Sequence, residues 1–486
     1  MTTASASERS GWEPVIGLEV HCELRTATKM FCGCRNAFGE EPNTNVCPVC
    51  LGLPGSLPVL NRRAVEYAMR IGLALHCQVQ PSIFHRKNYF YPDMPKDYQV
   101  SQYDEPINVQ GFLQLPDGST VRIERAHMEE DTGKTTHVGG GGRIHEAGHS
   151  LVDYNRAGVP LVEIVSAPDL RSSAQARLYA AELRAILVAS GASDGRMEEG
   201  SMRVDANVSV RPARSDTLGT RCEIKNLNSL RSLGRAIDFE IDRQIALLQA
   251  GERVVQQTRH WDEGEGRTVA LRSKEEAFDY RYFPEPDLVP VAPDEAWQRQ
   301  VAEALGPMPA ERRQQLARRF GQQGPDSARA DQIATVVELD LDPLVHAAAD
   351  AGVDVSLALA RTANEAAADA EAARRVDRDA YRALLQLEQR GSLSATQAKT
   401  VLGELLASGG DPAEIARRLG FEALGEDSLA GVVGEVIAAN PAEWERYCGG
   451  EDKLAGFFTG KVMKATGGKA NGKLVAAELQ RRRAGS

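Results

Sequence analysis

The order of apolar and polar residues divides the chain into two parts. Between residue 15 and about residue 290, short β-branched stretches such as 15–20 and 202–210 alternate with turns rich in Gly, Pro and Asn, which is typical of strands joined by tight connections. Segments 62–75, 174–189 and 230–250 instead carry apolar residues three to four positions apart, which is the spacing of one helix face. The pattern predicts an α+β domain built on a mostly antiparallel sheet.

A Pro-rich segment at 283–293 ends this region, because each Pro disfavours the helical conformation of the residue before it. From there to residue 483 nearly every segment has the amphipathic pattern of a helix, interrupted by cap residues followed by Pro at 409–412 and 440–441. We predict three domains: the α+β domain at 1–293, an all-helical domain at 294–391 and a small helical tail domain at 392–486.

Composition limits the classes of protein. The 486 residues are too many for one core, 42% are hydrophobic, and no apolar run approaches the roughly 20 residues of a membrane-spanning helix. The N-terminus lacks the apolar segment of a signal peptide, so we expect a cytoplasmic protein without membrane contact. A net charge of −11 restricts nucleic-acid contact to local patches. The basic tail from Lys453 to Arg483 is one candidate, although it is also explained as a solvated helix face.

Four of the eight cysteines are bunched near the N-terminus. Cys32 and Cys34 form a C-x-C motif, and Cys47 and Cys50 form a C-x-x-C motif after twelve intervening residues. This spacing predicts four thiolates around one tetrahedral Zn²⁺ ion. Because all four positions would be filled by protein, the zinc should be structural. The alternative is four unrelated buried cysteines.

Polar residues alternate along the strand predicted at 15–23. Successive side chains of a strand point to opposite faces, so Glu19, His21 and Glu23 share one face. A second acidic group, His-Met-Glu-Glu-Asp, occupies 127–131, and Glu163 stands inside the apolar run 159–165. A carboxylate among apolar residues is costly unless it is paired or binds a metal, and oxygen-rich ligand sets suit Mg²⁺. A solvated face or a salt bridge is the alternative for each residue.

Two short motifs match known patterns only in part. Residues 132–135 read Thr-Gly-Lys-Thr, but Met128 occupies the place of the first Gly of a Walker A loop, so Lys134 is kept only as a group that could neutralise a phosphate beside the metal. Residues 145–149 match the zinc-protease pattern H-E-x-x-H, which requires a helix. The glycines at 139–142 and Gly148 disfavour a helix, so we predict a hairpin tip there.

Basic, aromatic and amide residues cluster in two further segments. Lys87 and Tyr89 lie in 86–93, and Lys225 and Asn226 lie in 222–229. Cations, stacking rings and amides together suit a nucleotide or a tRNA end, so these four are candidate substrate-binding residues. Ordinary packing of aromatic rings, or capping of the helix that begins near residue 230 by Asn226, is the alternative.

Longer motifs occur in order along nearly the whole chain, including Val-Ile-Gly-Leu-Glu-Val-His at 15–21 and Lys-Asn-Leu-Asn-Ser at 225–229. The others occupy 86–92, 127–131, 160–165, 197–203, 279–287 and 460–466. Together they resemble the B subunits of aspartyl/glutamyl-tRNA(Asn/Gln) amidotransferases. The glycine-rich loop from His137 to His149 looks like an addition to that family pattern, and the role of its Gly139–His149 part is not indicated by the sequence.

This resemblance implies a ligase that uses ATP and Mg²⁺ to phosphorylate the side-chain carboxylate of Glu-tRNA(Gln) or Asp-tRNA(Asn) in a cradle-like first domain. An amidase-type glutaminase subunit would supply ammonia, a small third subunit would complete a heterotrimer, and the helical domains would bind the tRNA. The implied Mg²⁺ ligands are His21, Glu130 and Glu163, with Glu19 and Glu129 adjacent. The candidate catalytic residues are Glu129, Glu130 and Lys134.

Two other functions remain as alternatives at this point. One is a zinc hydrolase that uses His145 and His149, and the other is a non-catalytic tRNA-binding or assembly protein stabilised by the cysteine cluster. The sequence does not distinguish between Glu-tRNA(Gln) and Asp-tRNA(Asn) as substrates, nor does it identify the tail residues that contact tRNA.

Overall fold

The computed structural model describes residues 9, 11–139, 147–271, 280–321, 324–421, 426–466, 470 and 472–484. It consists of two compact units, Met1–Met308 and Pro309–Ser486. All described strands lie in the first unit, and the described elements of the second are helical. This arrangement confirms the predicted α+β class.

The first unit contains fourteen described strands. They are β1 (Trp12–Glu23), β2 (Gln78–Val79), β3 (Phe84–Asn88), β4 (Tyr98–Gln102), β5 (Asn108–Gln114), β6 (Thr120–Glu130), β7 (Lys134–Val138), β8 (His149–Asp153), β9 (Pro160–Ser166), β10 (Met202–Pro212), β11 (Cys222–Leu227), β12 (Gln257–Asp262), β13 (Arg267–Ala270) and β14 (Phe283–Pro284). Twelve of them form one sheet in the order β13-β12-β11-β10-β1-β9-β6-β4-β3-β14, with β5 beside β6 and β2 beside β5. The sheet is mostly antiparallel, as predicted, and β11 pairs with β12 in parallel.

Helices of the first unit share a hydrophobic core with the sheet. They are α1 (Arg62–Ala74), α2 (Ser173–Ala189), α3 (Leu230–Gln249) and α4 (Glu295–Glu303). The alternate residues Ile16, Leu18, Val20 and Cys22 of β1 are fully buried in this core. Side chains of Asn61, Ser172 and Ser229 accept backbone N–H groups at the starts of α1, α2 and α3, which satisfies donors that the helix leaves free.

The second unit is built from amphipathic helices. They are α5 (Pro309–Arg318), α6 (Ser327–Glu338), α7 (Asp342–Asp350), α8 (Val355–Asn364), a 3₁₀ helix (Ala366–Asp369), α9 (Ala370–Arg375), α10 (Arg378–Gln389), α11 (Ala395–Ser408), α12 (Pro412–Arg418), α13 (Glu426–Ala438), α14 (Pro441–Cys448), α15 (Leu454–Ala465) and α16 (Gly472–Ala484). One core of buried residues runs from Leu316 to Ala416 and another from Leu429 to Leu479. The division into 294–391 and 392–486 stays a prediction.

Two strands of the first unit form a separate hairpin. Its strands β7 and β8 pair antiparallel, from Lys134 opposite Asp153 to Val138 opposite His149. The segment between these strands includes 140–146, which lie outside the described residues. Among the helices of the described ranges, none has both the length and the apolar character needed to cross a membrane.

A candidate metal centre on the charged face of the sheet

The face of the sheet opposite the core carries charged residues. Since Leu18, Val20 and Cys22 of β1 point into the core, their neighbours Glu19 and His21 point to the other face. Antiparallel pairing places His21 of β1 opposite Glu163 of β9, and Glu163 opposite His127 of β6. These three side chains therefore form a row across adjacent strands.

Three predicted site residues converge on this face: His21, Glu129 and Glu163. Their ligand atoms lie within 4.8 Å of one another, and Nδ1 of His21 lies 3.0 Å from Oε1 of Glu129. Burial lowers the pKa of His21, but the hydrogen bond to Glu129 and the nearby carboxylates outweigh it and raise the pKa to about 9. Burial raises the pKa of Glu129, whereas the hydrogen bond to His21 lowers it to about 2. Without a cation, the two form an ion pair.

Glu163 contacts two residues that the sequence analysis did not select. His127 Nε2 lies 3.6 Å from one carboxylate oxygen, and Arg125 Nη2 lies 3.7 Å from the other. Burial lowers the pKa of His127, and its Nδ1 has no hydrogen-bond partner among the described residues. A neutral His127 can orient Glu163 without adding charge. The signal for this role is the register of β6 against β9, which the sequence alone does not give.

Glu130 lies apart from this group, so its place in the ligand set expected from the resemblance stays a prediction that this geometry does not favour. Glu129 and Glu130 are consecutive residues of β6, so their side chains leave opposite faces of the strand. Glu130 is 2% exposed and forms an ion pair with Lys96, and it accepts the backbone N–H of Val100 at 2.9 Å. The pair borders a cavity of about 60 Å³ that is also lined by Cys32 and Cys50.

Replacing Lys96 by Met should lower the free energy of unfolding by about 3 kcal/mol, because Glu130 would remain buried without its cation. A Lys96→Met/Glu130→Gln double variant should recover most of that loss, since neither charge remains. Urea unfolding followed by tryptophan fluorescence in a Trp444→Phe background would report on the first unit alone. Equal losses in the single and double variants would contradict the ion-pair interpretation.

Two other predicted residues lie apart from the three ligands. Glu19 accepts a hydrogen bond from Asn207 Nδ2 at 2.8 Å, and burial together with the charge of Glu163 raises its pKa, which places it beside the group rather than in it. Lys134 begins β7 in the separate hairpin, where its side chain is exposed. Within the described ranges, the structure does not bring Lys134 to His21.

A second set of charges extends the same face toward the end of β6. Arg203 Nη1 donates to Asp131 Oδ2 at 3.0 Å, and Arg156 Nε lies 3.4 Å from the same oxygen. Burial and the proximity of Asp131 raise the pKa of Glu23 to about 7. The face therefore offers two guanidinium groups close to the carboxylates. None of these residues is a ligand or a substrate contact predicted from the sequence.

An aromatic group borders the candidate metal centre. The rings of Tyr103 and Tyr282 stack with centroids 4.1 Å apart, and the Lys87 ammonium lies 4.7 Å from the ring centroid of Tyr280. Burial and the charges of Glu129 and Glu163 raise the pKa of Tyr282, which places its hydroxyl near them. Of the predicted substrate-binding residues, Lys87 thus lies beside this group. In the sequence, Tyr-Arg-Tyr at 280–282 stands out only as part of a family motif.

Tyr89, Lys225 and Asn226 occupy different surroundings. Tyr89 stacks on Tyr91 with centroids 5.3 Å apart, and burial raises its pKa to about 12. Lys225 Nζ lies 2.9 Å from Asp205 and 3.0 Å from Glu223. Asn226 has a φ of 66° and donates to the carbonyl of Trp261.

These contacts distinguish Lys225, whose ammonium could contact a substrate, from Asn226, whose side chain has a structural role. The ammonium of Lys225 is on the charged face, whereas the Asn226 side chain links β11 to β12. Capping of α3 is done by Ser229, not by Asn226.

The four N-terminal cysteines come together as predicted. Their Sγ atoms lie within 4.8 Å of one another, and those of Cys47 and Cys50 are 3.8 Å apart. Two thiolates bound to one tetrahedral ion at about 2.3 Å are about 3.8 Å apart, so the spacing fits a single ion. The hydrogen bond from Cys32 lowers the pKa of Cys50 to about 5; burial opposes this shift, and the Lys29 ammonium adds to it. The cluster could bind a metal ion.

The last residue of the H-E-x-x-H pattern lies in a strand and not in the helix that a zinc protease needs. His149 is the first residue of β8 and its side chain is exposed. His145 and Glu146 lie outside the described residues. The extended conformation at His149 agrees with the predicted hairpin.

Comparison with known proteins identifies a family for both units. The model of the GatB/GatE catalytic domain family matches residues 14–299, and that of the GatB domain family matches residues 348–482. A protein of Moorella thermoacetica, named as the B subunit of aspartyl/glutamyl-tRNA(Asn/Gln) amidotransferase, is 50% identical over 483 residues, covering 97% of this chain and 99% of its own. Relatives with the same name from Streptomyces avermitilis and Mycobacterium tuberculosis are 48% and 49% identical, covering 95% of this chain and 94% and 92% of their own.

These matches define the class of protein as a tRNA-dependent amidotransferase, which is a ligase-type enzyme. Within that class the chain belongs to the family of aspartyl/glutamyl-tRNA(Asn/Gln) amidotransferase B subunits, as the motifs predicted.

Proposed function

We propose that this chain phosphorylates the side-chain carboxylate of Glu-tRNA(Gln), Asp-tRNA(Asn) or both with ATP, so that ammonia can then form the amide. The carboxylate oxygen bonds to the γ-phosphorus while the bond to the β-phosphate oxygen breaks and ADP leaves. Ammonia next attacks the acyl carbon, and phosphate leaves with that carboxylate oxygen. Activation is needed because hydroxide is a poor leaving group from a free carboxylate.

The observation that carries this proposal is the convergence of His21, Glu129 and Glu163 on the charged face. Three protein ligands from three adjacent strands leave the remaining positions of an octahedral Mg²⁺ ion for water and phosphate oxygens. The distance of 3.0 Å between His21 Nδ1 and Glu129 Oε1 equals the separation of about 3 Å expected for neighbouring ligands at about 2.1 Å from the ion. When bound there, Mg²⁺ supplies charge to offset that of the transferring phosphoryl group.

The protein groups around the ligands suit a triphosphate and an aminoacyl-tRNA end. Arg125 and Lys87 can offset phosphate charge next to Glu163 and Glu129, and Arg203 extends this cationic set. The rings of Tyr103 and Tyr282 form an apolar border that limits access of water to the acyl phosphate. Of the candidate catalytic residues, Glu129 would bind the ion directly. The geometry does not support a catalytic role for Lys134.

Binding of Mg²⁺ should be coupled to proton release from His21. The pKa of His21 is raised to about 9 in the metal-free site, so near neutral pH the ring must lose its proton before Nδ1 can bind an ion. Affinity should therefore rise as the pH increases toward about 9 and level off above it. Calorimetry in buffers of different ionisation enthalpy should detect about one released proton per ion.

A His21→Asn variant is the control for this titration, because it keeps a polar group but has no proton to release. It should bind Mg²⁺ weakly and without dependence on the buffer. Proton release that persists in His21→Asn would assign the titration to another group.

The remaining features concern partners and the second metal. We place a structural Zn²⁺ in the cluster of Cys32, Cys34, Cys47 and Cys50, since four thiolates leave no open position for chemistry. The name of the relatives denotes one component of a larger enzyme, which supports assembly with a glutaminase subunit that supplies ammonia and with a small third subunit. The helical unit, with Lys461 and Lys464 on α15, is the proposed tRNA-binding part.

An isotope experiment tests the phosphorylation step. Glu-tRNA(Gln) labelled with ¹⁸O in the side-chain carboxylate is supplied with ATP, Mg²⁺ and ammonia to the complex reconstituted with its partner subunits. The released phosphate should carry one ¹⁸O atom, because the carboxylate oxygen leaves with it. Amidation with unlabelled phosphate would contradict the proposal, and no ATP turnover at all would favour an assembly function.

A further inference from the structure

The side chain of Lys29 is completely buried beside the cysteine cluster. Its exposed fraction is 0%, and it is one of the largest fully buried side chains of the described protein. A buried ammonium is costly unless another charge offsets it. Within the described ranges, no carboxylate oxygen comes within 4.0 Å of an amino group of Lys29. The partner that hydrogen-bonds to the ammonium and can offset its charge is a group of another kind.

The contacts of Lys29 identify that group. Its ammonium has three N–H donors, and three acceptors surround it: the carbonyl of Asn45 at 2.9 Å, the carbonyl of Tyr154 at 3.5 Å and Cys50 Sγ at 3.9 Å. The two carbonyls are neutral dipoles. Of the three partners, only the sulfur of Cys50 can carry a negative charge.

A tetrathiolate site needs such a cation. Four thiolates and one divalent ion have a net charge of −2, and Cys50, which is 5% exposed, holds its share of that charge out of water. One ammonium in hydrogen-bond contact with a ligand sulfur halves the net charge. It also removes electron density from that sulfur, as outer-shell partners of metal ligands do.

We propose that Lys29 is the built-in counter-charge of the cysteine metal site, a positioning residue that stabilises the bound ion through Cys50. The same side chain ties the cysteine loop, through Asn45, to Tyr154 at the base of the hairpin. Gly158 lies beside this contact, since a Cβ at that position would be 3.6 Å from Cys50 Cβ, 3.7 Å from Lys29 Cδ and 3.8 Å from Glu130 Oε2. The inference rests on the proposed metal site and not on the amidation reaction.

Zinc affinity of the full chain tests the proposal. Chelator competition should show that Lys29→Met weakens Zn²⁺ binding by about 10- to 100-fold, the usual effect of removing an outer-shell partner. Arg35→Met is the matched control: it removes one cation next to the ligand Cys34, but the side chain of Arg35 is 78% exposed and should change the affinity less than about twofold. Equal effects of the two variants would overturn the proposal.

A double-mutant cycle separates the charge from simple packing. In a Cys50→Ser background the thiolate is absent, so Lys29 is left without its counter-charge, and Lys29→Met should then raise thermal stability instead of lowering it. A role in packing alone predicts the same loss in both backgrounds, which would overturn the proposal. This comparison remains informative if the single variant Lys29→Met folds poorly.

Cobalt substitution supplies a spectroscopic signature. In Lys29→Gln the charge-transfer band from sulfur to Co²⁺ should move to lower energy, because a thiolate without its ammonium gives up an electron more readily. An unshifted band would overturn the assignment of Cys50 as the partner. If the wild-type protein binds no zinc, both this inference and the proposed zinc site are wrong. The amidation function is tested separately by the ¹⁸O experiment.

Discussion

Glu129→Gln is expected to lower ATP-dependent amidation of Glu-tRNA(Gln) about 10³-fold, which corresponds to about 4 kcal/mol of transition-state stabilisation. The substitution keeps the shape of the side chain but removes the charge that faces His21 at 3.0 Å. It therefore weakens binding of the ion at the centre of the group and leaves the His21 imidazolium without its partner. The loss should persist in kcat at saturating Mg²⁺ and ATP, since the carboxylate ligand of the ion is missing from the transition state as well.

Glu124→Gln is the matched control for this prediction. It makes the same chemical change on the same strand, β6, at a residue whose side chain is exposed. Its activity should stay within about twofold of wild type, because the exposed Glu124 is not one of the three ligands. An exposed carboxylate also adds little to the stability of the fold. A loss in Glu124→Gln equal to that in Glu129→Gln would mean that the strand tolerates no neutral residue, and the assignment of Glu129 to the ion would fail.

Glu130→Gln distinguishes the revised ligand set from the one expected from the sequence. Glu130 pairs with Lys96 on the other side of β6, so its replacement should act through that ion pair and leave the affinity for Mg²⁺ at His21 nearly unchanged. Loss of Mg²⁺ affinity in Glu130→Gln would restore the original prediction.

The secondary structure was largely predictable from local pattern. The helices expected at 62–75, 174–189 and 230–250 begin and end within one residue of α1, α2 and α3, because their caps and apolar spacing are local features. The strand that carries His21 was recognised for the same reason, since buried and less buried residues alternate from Leu18 to Glu23 of β1. The order of strands in the sheet was not predictable, because it depends on pairing between distant segments.

In the candidate site, too, features set by neighbouring residues were predictable, whereas contacts between distant segments were not. Nothing in the sequence decides which of Glu129 and Glu130 faces His21, since both are buried residues of one strand and only the phase of β6 against β9 separates them. Contacts such as Arg125 with Glu163, or Lys96 with Glu130, also join segments that are far apart in sequence. Cys32, Cys34, Cys47 and Cys50 were easier to group because short loops hold them together.

Loss of one of those cysteines is the second change with a large expected effect. Cys47→Ser should weaken metal binding about 10³-fold, because it removes one of four thiolates from a site whose total binding energy is about 10–16 kcal/mol in comparable structural zinc sites. The loop around Cys47 has few buried apolar residues of its own and hydrogen-bonds through Asn43 to the carbonyl of Val152, so protease should cleave this loop once the ion is lost. Metal content by mass spectrometry and limited proteolysis measure the two effects.

Cys448→Ser is the matched control, because Cys448 lies at the end of α14 in the helical unit and is not one of the four clustered cysteines. It should keep the metal and the proteolysis pattern of wild type. Cys47→Ser should in addition retain helical content, since the core of the second unit does not involve this loop. If Cys47→Ser kept a full complement of tightly bound metal, the four sulfurs would not form one site, and the spacing of 3.8 Å between Cys47 and Cys50 would have to arise from the packing of the loop alone.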